Sequence, residues 1–393
     1  MKRLPRRWLA ALASLCIGLH GCGTRGWASA SPAPVSAAPA RDIDVTLFLI
    51  GDAGAPAAPP DSEPVLMALR AAATAAPHPL IAFLGDNVYP RGMPDSGAPD
   101  RPEAERRLNA ELGVLRATGA RGVFVAGNHD WDREGPGGWD AIRRQERFIE
   151  SGISGTGGTG GPVLLPGGGC PGPTVVDVGT AVRLVALDTQ WWLQKGPKPE
   201  DPVSACPADS DREVLDSLRA ALRTAGGRAV VVIAHHPLES GGPHGGHFGW
   251  QEHIFPLRAI KSWLWVPLPL IGSIYPIARM RGISSQDTPS AAYRRMRAAL
   301  DGAFAGTPPL IYAAGHDHTL QVIAGTSARY ELVSGAGTFG HRYRVSPLAS
   351  TRFAKRASGF MRVEFLRDGR ARLGVMIVDR AGSATEAFAL WLE

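Results

Sequence analysis

The stretch FLGDNVYP, residues 83 to 90, decides the fold. It closes an apolar run over residues 80–84 that is typical of a buried strand, and a glycine ends that run directly before Asp86. A phenol, Tyr89, follows three positions later. A carboxylate and a phenol at the mouth of a buried strand suggest a binding site. This pattern alone is weak evidence for a binding site, and the neighbouring segments of the chain provide further evidence.

The segments around this stretch alternate between strands and helices. Buried strands are predicted at residues 46–50 and 122–126, and amphipathic helices between them at residues 62–76 and 102–117. This βαβαβ order predicts a parallel sheet. Later elements are expected as a helix at 210–224 and strands at 174–178, 182–187, 229–234, 310–314, around 332, 360–365 and 371–377. We therefore predict an α/β domain whose later half contributes a second, more antiparallel sheet.

The N-terminus resembles a secretion signal. Four basic residues precede an apolar segment, residues 8–19, that is too short to span a bilayer and has the layout of a signal-peptide core. It ends in LHGC, residues 19–22, which is similar to the lipobox of bacterial lipoproteins and would place a lipid anchor on Cys22. The alternatives are cleavage after ASA, residues 28–30, which would release a soluble periplasmic protein, and a twin-arginine signal. Each predicts an exported protein, either periplasmic or anchored to a membrane.

Composition sets further bounds on the class of protein. A chain of 393 residues with 44% apolar content can bury a large core. The formal charge is +6, but four of the basic residues lie in the signal, and no basic block is interleaved with aromatic residues. We therefore expect no nucleic-acid partner. In an oxidising compartment, the remaining cysteines, Cys170 and Cys206, are expected to form a disulfide, and neither has a spacing that suits zinc.

Five apolar runs each end in a polar cluster. The clusters are GDAG (51–54), GDNVY (85–89), GNHD (127–130), HHP (235–237) and GHDH (315–318). Ligands of α/β sheets bind outside the carboxyl ends of the strands, so clusters far apart in sequence can converge there. Their carboxylates, phenol, amide oxygen and imidazoles form a donor set suited to iron, zinc or manganese. Each cluster alone also fits ordinary turn chemistry, and only the combination predicts a metal site.

The order of these motifs, over about residues 45–325, resembles that of the calcineurin-like metallophosphoesterases, and the details resemble their purple acid phosphatase branch. The resemblance implies a metallophosphoesterase-type four-layer αββα sandwich in a single domain. Residues 1–22 would be the signal peptide, 23–42 a flexible tether and 43–393 the catalytic domain. Most metallophosphoesterases begin with D-x-H, but Gly54 stands at the histidine position here. Purple acid phosphatases instead place a tyrosine three residues after the bridging aspartate, as in this chain.

The resemblance implies ligands for two metal ions, with one aspartate shared. The first ion would be bound by Asp52, Asp86, Tyr89 and His318, and the second by Asp86, Asn128, His235 and His316. A free phenol ionises only near pH 10, so a tyrosine ligand favours a trivalent cation. We expect ferric iron in the first site and divalent iron, zinc or manganese in the second.

The implied function is hydrolysis of phosphate monoesters by an exported phosphatase, since two such ions can hold a hydroxide as nucleophile and clamp a phosphoryl oxygen. His129 resembles the family histidine that contacts the phosphoryl group and protonates the leaving oxygen. His244, nine residues after His235, has the spacing of a second substrate-facing histidine. Two alternatives stay open: hydrolysis of phosphodiesters or nucleotides at the same site, and a non-catalytic binding protein that keeps the fold.

An apolar insertion near residues 245–285 separates the fourth and fifth motifs. It contains WLWVPLPLIGSIYPIA, residues 263–278, whose three prolines and length of 16 residues argue against a membrane-spanning helix. Three interpretations stay open: a lid over the pocket, a contact with a membrane surface, and a hydrophobic hairpin packed on the body of the fold. His236, His247 and His253 have no predicted role and are expected at the surface or in the pocket wall.

Overall fold

Two mixed β-sheets form the centre of the protein. The computed structural model describes residues 27–28, 35–59, 62–153, 163–259 and 263–393. The strands in these ranges are β1 (Trp27–Ala28), β2 (Ile43–Ile50), β3 (Pro79–Phe83), β4 (Arg121–Phe124), β5 (Val163–Leu164), β6 (Thr174–Val178), β7 (Val182–Ala186), β8 (Ala229–Ile233), β9 (Ile311–Ala314), β10 (Leu320–Ala324), β11 (Tyr330–Ser334), β12 (Thr351–Lys355), β13 (Gly359–Leu366), β14 (Ala371–Val378) and β15 (Ala384–Leu392). The α-helices are α1 (Pro64–Ala75), α2 (Arg101–Thr118), α3 (Gly138–Ile153), α4 (Gln190–Leu193), α5 (Asp211–Arg223), α6 (Trp250–Ile254), α7 (Ile274–Met280) and α8 (Ala291–Phe304).

Both sheets are parallel in their central part and antiparallel towards an edge. The first has the strand order β15-β14-β13-β2-β3-β4-β5, and β2 to β5 are parallel. The second has the order β1-β12-β10-β11-β9-β8-β7-β6, and β7, β8, β9 and β11 are parallel. The predicted βαβαβ unit is therefore confirmed as β2-α1-β3-α2-β4.

The later half of the chain contributes the predicted second sheet, but not all of its strands belong to it. The last three strands join the first sheet, where β13 pairs antiparallel with β2 and places Val363 opposite Leu47. Both side chains lie in the apolar layer between the two sheets. A hydrophobic alternation predicts a strand and its buried face, but it does not predict which strand it pairs with.

Three apolar layers hold the sheets and helices together. Strand β2 contributes to two of them, because successive side chains of a strand point to opposite faces. Leu47 and Leu49 lie between the two sheets. Phe48 and Ile50 pack on the other face against α1, α2 and α3. A third cluster lies between the second sheet and the helices α5 and α8. The order helix, sheet, sheet, helix confirms the predicted four-layer αββα sandwich.

The remaining predictions about the chain have mixed outcomes. Cys170 and Cys206 form the expected disulfide. The predicted signal peptide and Cys22 lie outside the described residues, and the bounds of the tether stay a prediction. Of the tether, residues 27–28 pair with β12, and Arg372 donates hydrogen bonds to the carbonyls of residues 35 and 36. Within the described ranges, no helix combines the length and apolar character needed to cross a membrane.

Candidate metal centre

The five predicted clusters follow the strands β2, β3, β4, β8 and β9, and they meet at one edge of the sandwich. Each strand runs parallel to a neighbour, so their carboxyl ends share that edge. Hydrogen bonds join the loops of the two sheets: the Gly51 amide donates to the Ser334 carbonyl at 2.8 Å, and the Thr338 hydroxyl donates to the Asp52 carbonyl at 2.9 Å. Clusters from separate parts of the chain are thereby held together.

Three of the loops turn through a left-handed backbone conformation. Asp52, Asp86 and His316 have φ values of 59°, 56° and 68°, and each directly follows a glycine. Such values are uncommon outside glycine, and strained residues of this kind concentrate at functional sites. The turns bring the loops into contact, since the His316 amide donates a hydrogen bond of 2.8 Å to Oδ2 of Asp52.

The hydroxyl of Tyr89 lies at the centre of the first group of predicted ligands. It is 2.9 Å from Oδ1 of Asp52, 3.1 Å from Oδ2 of Asp86 and 3.1 Å from Nε2 of His318. The single phenol proton can satisfy only one of these three acceptors. Burial and the two carboxylates raise the pKa of Tyr89 well above its ordinary value. A cation among these atoms would remove the conflict, because the side chains of all four residues, Asp52, Asp86, Tyr89 and His318, could then bind it through their lone pairs.

In the second group of predicted ligands, the lone pairs of neighbouring side chains face one another. Nδ1 of His235 donates to the Leu84 carbonyl at 2.8 Å, and Nε2 of His316 donates to the Gln286 carbonyl at 2.8 Å. In neutral rings the opposite nitrogens then carry lone pairs, yet these two atoms are only 3.2 Å apart. Oδ1 of Asn128, a further acceptor, lies 3.1 Å from each of them. Backbone carbonyls that fix the ring orientation in this way are typical of metal-binding histidines.

Asp86 faces both groups. Its Oδ2 contacts Tyr89, and its Oδ1 lies 3.5 Å from Nε2 of His235 and accepts a 2.8 Å hydrogen bond from the His129 amide. Burial acts to raise the pKa of Asp86, but His235, His129 and that amide outweigh it and lower the pKa to about 2. Burial and the nearby Asp86 raise the pKa of Asp52 well above its usual range. All seven predicted ligands are therefore brought together, and their donor set fits two cations that share Asp86.

Gly54 explains why the chain lacks the first histidine of the D-x-H motif. A Cβ atom at this position would lie 2.2 Å from the carbonyl carbon of Asn87, so no side chain fits. The close approach is part of the loop packing, because the Gly54 amide donates to the Asp86 carbonyl at 3.0 Å and its carbonyl accepts from the Tyr89 amide at 3.2 Å. The same contact that excludes a histidine thus positions the tyrosine.

The two predicted catalytic histidines line a cleft of about 610 Å³ beside these groups. Nδ1 of His129 donates to the Pro90 carbonyl at 2.7 Å, and Nε2 lies 3.9 Å from Oδ2 of Asp86. Burial lowers the pKa of His129, and Asp86 partly offsets this effect. The ring of His244 lies 4.0 Å from that of His316, between centroids. Both therefore stand within reach of a group bound in the cleft.

An aspartate that was not among the predicted site residues organises the loops. Asp130 is fully buried and accepts hydrogen bonds from the amides of Gly127, Asn87 and Val88 at 2.8 to 3.2 Å. It thereby ties the GNHD loop to the GDNVY loop. Burial and the neighbouring Asp86 raise the pKa of Asp130 to about 7. Its place as the last residue of GNHD was a signal that could have identified it.

Other cleft residues had no signal in the sequence. Arg279 comes from the insertion and lines the cleft, and Asp287 lies just after the insertion; both contact His244. His341 and Tyr343 come from the loop after β11 and flank His318, with Tyr343 stacked on it at 4.3 Å between ring centroids. Their positions follow from long-range packing of loops, which motif spacing does not reveal.

His236 was expected at the surface or in the pocket wall, but it is fully buried. Its Nδ1 contacts the Thr189 hydroxyl at 2.9 Å, and its Nε2 contacts Oε1 of Gln286 at 2.8 Å. Burial lowers its pKa well below the ordinary value. The two neighbours hold the ring beneath His316, where it packs the floor of the site. The polar partners explain how a histidine can occupy this interior position.

No protein-family model matches the sequence, and no match was found among curated proteins. Solved structures are similar in fold. GAP50, the anchor in the inner membrane complex of Plasmodium, superposes with a TM-score of 0.53 at 14% identity over 89% of each chain. Purple acid phosphatase PPD1 from yellow lupin (Lupinus luteus) seeds gives a TM-score of 0.53 at 12% identity, over 88% of this chain and 53% of the lupin chain. PhoD gives 0.50 at 12% identity, over 90% of this chain and 70% of that chain.

These similarities show a metallophosphoesterase-like fold, as the motifs predicted. The chain spans about half the length of the lupin enzyme. At such identities the likeness concerns the fold alone, so the activity has to be argued from the side chains of the site.

Proposed function

We propose that the protein is an exported phosphatase that hydrolyses phosphate monoesters at a dinuclear metal centre. The observation that supports this most is the convergence of seven side chains in two groups around the shared carboxylate of Asp86. Within the second group, lone pairs of His235 and His316 face each other at 3.2 Å. This arrangement is costly for a metal-free interior and favourable around a cation.

The two groups would hold different ions. The first would bind ferric iron through Asp52, Asp86, Tyr89 and His318, and the second a divalent ion through Asp86, Asn128, His235 and His316. When bound, such a pair supplies an activated water and neutralises charge on the phosphoryl group. The negative charge of the buried carboxylates favours the binding of cations. The phenol of Tyr89 favours a trivalent ion in the first group, because a free phenol does not ionise near neutral pH.

The surrounding side chains would bind and orient the ester. Arg133, Lys195 and Arg279 line the cleft and could contact a phosphate dianion, with Lys195 held by Glu134 and Arg279 by Asp287. His129 would donate the proton of Nε2 to the leaving oxygen, because its Nδ1 is held by the Pro90 carbonyl. His244 would hydrogen-bond a phosphoryl oxygen from the opposite side.

Metal analysis together with a visible spectrum tests the centre. Protein purified from an iron-replete periplasm should contain two metal ions and show a phenolate-to-iron absorption band. Tyr89→Phe should abolish the band and leave the circular dichroism unchanged. A protein that binds two zinc ions and stays colourless after iron loading and oxidation would exclude the iron assignment but leave phosphoesterase activity open.

The substrate class is tested with p-nitrophenyl phosphate, its bis ester and nucleotides. We expect the monoester to be hydrolysed best. Faster turnover of the bis ester or of nucleotides would favour the alternative activity, and absence of turnover in a metal-loaded protein would favour a binding protein that keeps the fold.

Export and anchoring belong to the same proposal. The Cys170–Cys206 disulfide supports an oxidising compartment, since such bonds are rare in reducing ones. Radiolabelled palmitate should be incorporated into the parent chain and not into Cys22→Ser. An unlabelled parent chain, or equal labelling of the two, would contradict acylation at this residue.

A further inference from the structure

An exposed apolar surface lies beside the mouth of the cleft. Eleven of the fourteen large hydrophobic side chains that are exposed in the described ranges belong to the insertion. We call these residues the insertion patch: Trp250, Trp263, Trp265, Val266, Leu270, Ile271, Ile274, Tyr275, Ile277, Met280 and Ile283. Only Met67, Val175 and Val203 lie elsewhere. A concentration of this kind marks a binding surface rather than scattered exposure.

The segments that carry the patch pack together. The ring of Phe255 lies 5.3 Å from that of Trp265 and 6.3 Å from that of Trp250, between centroids. The Leu268 amide donates to the Ile254 carbonyl at 2.7 Å. The patch is therefore one surface built on a folded insertion. Because its side chains are exposed, they are not packed on the body of the fold as the interpretation of a packed hydrophobic hairpin requires.

The composition of the patch matches the interface of a lipid bilayer. Three tryptophans and a tyrosine combine an apolar ring with a polar tip, as residues at the level of lipid headgroups do. The helices α6 and α7 have five and seven residues, so they can only lie along such a surface.

Basic residues accompany the apolar ones. Between residues 245 and 283 the sequence has four Lys or Arg residues and one acidic residue, Glu252; one of the four, Arg279, is paired with Asp287 just beyond this range. The guanidinium of Arg258 lies 3.7 Å from the ring centroid of Trp265, and Arg281 is exposed beside the patch. Apolar side chains flanked by positive charge complement a bilayer that contains anionic lipid.

We propose that the insertion patch docks on a bilayer surface containing anionic lipid, and that the cleft takes phosphate monoesters carried by lipid headgroups. Tyr275 and Ile283 belong to both the patch and the wall of the cleft, with Arg279 between them. Docking therefore places the cleft opening at headgroup level. The substrate part of this inference rests on the proposed function, whereas the docking part does not.

Vesicle flotation tests the docking. The full chain with Cys22→Ser, which excludes acylation, is mixed with phosphatidylcholine vesicles with or without phosphatidylglycerol. A patch variant combines Trp263→Ser, Leu270→Asn and Ile274→Ser; asparagine suits Leu270 because its φ is 72°. The matched control combines Met67→Ser, Val175→Ser and Val203→Ser. We expect binding to the anionic vesicles to fall about tenfold or more in the patch variant only, since burial of even one large apolar side chain favours transfer by about that factor.

Three results would overturn the docking. The first is that the parent chain fails to float with anionic vesicles, and the second is that the patch variant floats equally well. The third is self-association of the parent chain that the patch variant loses, without vesicle binding, because the occupant would then be a second copy.

Hydrolysis of phosphatidic acid in phosphatidylcholine and phosphatidylglycerol vesicles tests the substrate part. Relative to the control, the patch variant should lose about tenfold in this activity and keep its turnover of p-nitrophenyl phosphate. An equal loss for both substrates, or no loss for either, would overturn the inference about substrate. If the parent chain hydrolyses neither, the proposed function fails with it, while flotation still decides the docking.

Discussion

Nδ1 of His244 lies 2.9 Å from Oδ1 of Asp287 and 3.2 Å from the Gln286 carbonyl. Nη2 of Arg279, a donor, also lies 3.0 Å from Nδ1, so two acceptors and one donor converge on this atom and fix the orientation of the ring. Arg279 donates from Nε to the same carboxylate at 2.8 Å. Burial acts to raise the pKa of Asp287, but Arg279 and His244 outweigh it and keep it lowered. Arg279 of the insertion and Asp287 just after it thus orient a predicted catalytic histidine.

Replacing Asp287 by asparagine should lower kcat for p-nitrophenyl phosphate about 10- to 100-fold, because His244 loses the acceptor that sets its orientation. Metal content should not change, which metal analysis checks. His244→Ala and the double variant complete a cycle, and we expect the double variant to lose no more than His244→Ala alone. Additive losses would contradict the orienting role.

Alanine at His129 should lower kcat about 10²- to 10⁴-fold while both metal ions stay bound, because the proton donor to the leaving oxygen is lost. The loss should be larger for an alkyl phosphate than for p-nitrophenyl phosphate, whose leaving group needs less protonation. Steady-state kinetics with both substrates measure this difference. His247→Ala, at a histidine that does not line the cleft, is the matched control. Equal losses for the two substrates would argue against an acid role.

Gly54→Ala should lower metal content and stability together. The added Cβ would lie 2.2 Å from the carbonyl carbon of Asn87, so the loops that carry Asp52 and Asp86 must move apart. We expect a loss of about 1–3 kcal/mol in the free energy of unfolding. Gly302→Ala, where no atom lies within 4 Å of the new Cβ, should be neutral or stabilising. Normal metal binding by Gly54→Ala would show that the close contact is not required.

Glu331 should make stability fall as the pH rises. It lies buried in β11, and among the described residues its carboxylate oxygens have no hydrogen-bond partner. Burial, together with Glu239, raises its pKa from 4.5 to about 8. The native state therefore binds more protons than the unfolded state between these values, and the stabilisation present at acid pH is lost as the pH rises through the folded-state pKa.

Glu331→Gln removes this titration. Between about pH 5 and pH 8 the parent chain should lose on the order of 1–4 kcal/mol more than the variant, since one pKa unit corresponds to about 1.4 kcal/mol. Urea unfolding of the metal-free proteins at both pH values measures the difference. Parallel pH profiles for the two proteins would refute the assignment.

Much of the candidate site could be predicted because its side chains stand at strand ends. The run before Asp86 is continuously apolar, and a glycine follows it, so the end of the strand is visible in a few residues. By contrast, the pairing of β13 with β2 joins Val363 to Leu47, and nothing in either run specifies the other. The local pattern of apolar residues predicts a strand, whereas the strand with which it pairs depends on the path of the whole chain.

The amino-acid sequence by itself determined which carboxylates, imidazoles and phenol end the buried strands, because apolar runs closed by glycine are local information. It also determined the cysteine pair, since only two cysteines, Cys170 and Cys206, lie beyond residue 22. Only the tertiary structure decided that Asp287 reaches back to His244 and that Leu270 stays 88% exposed beside the cleft. Contacts between residues dozens of positions apart follow from how loops pack on the sandwich, and neither composition nor periodicity specifies that path.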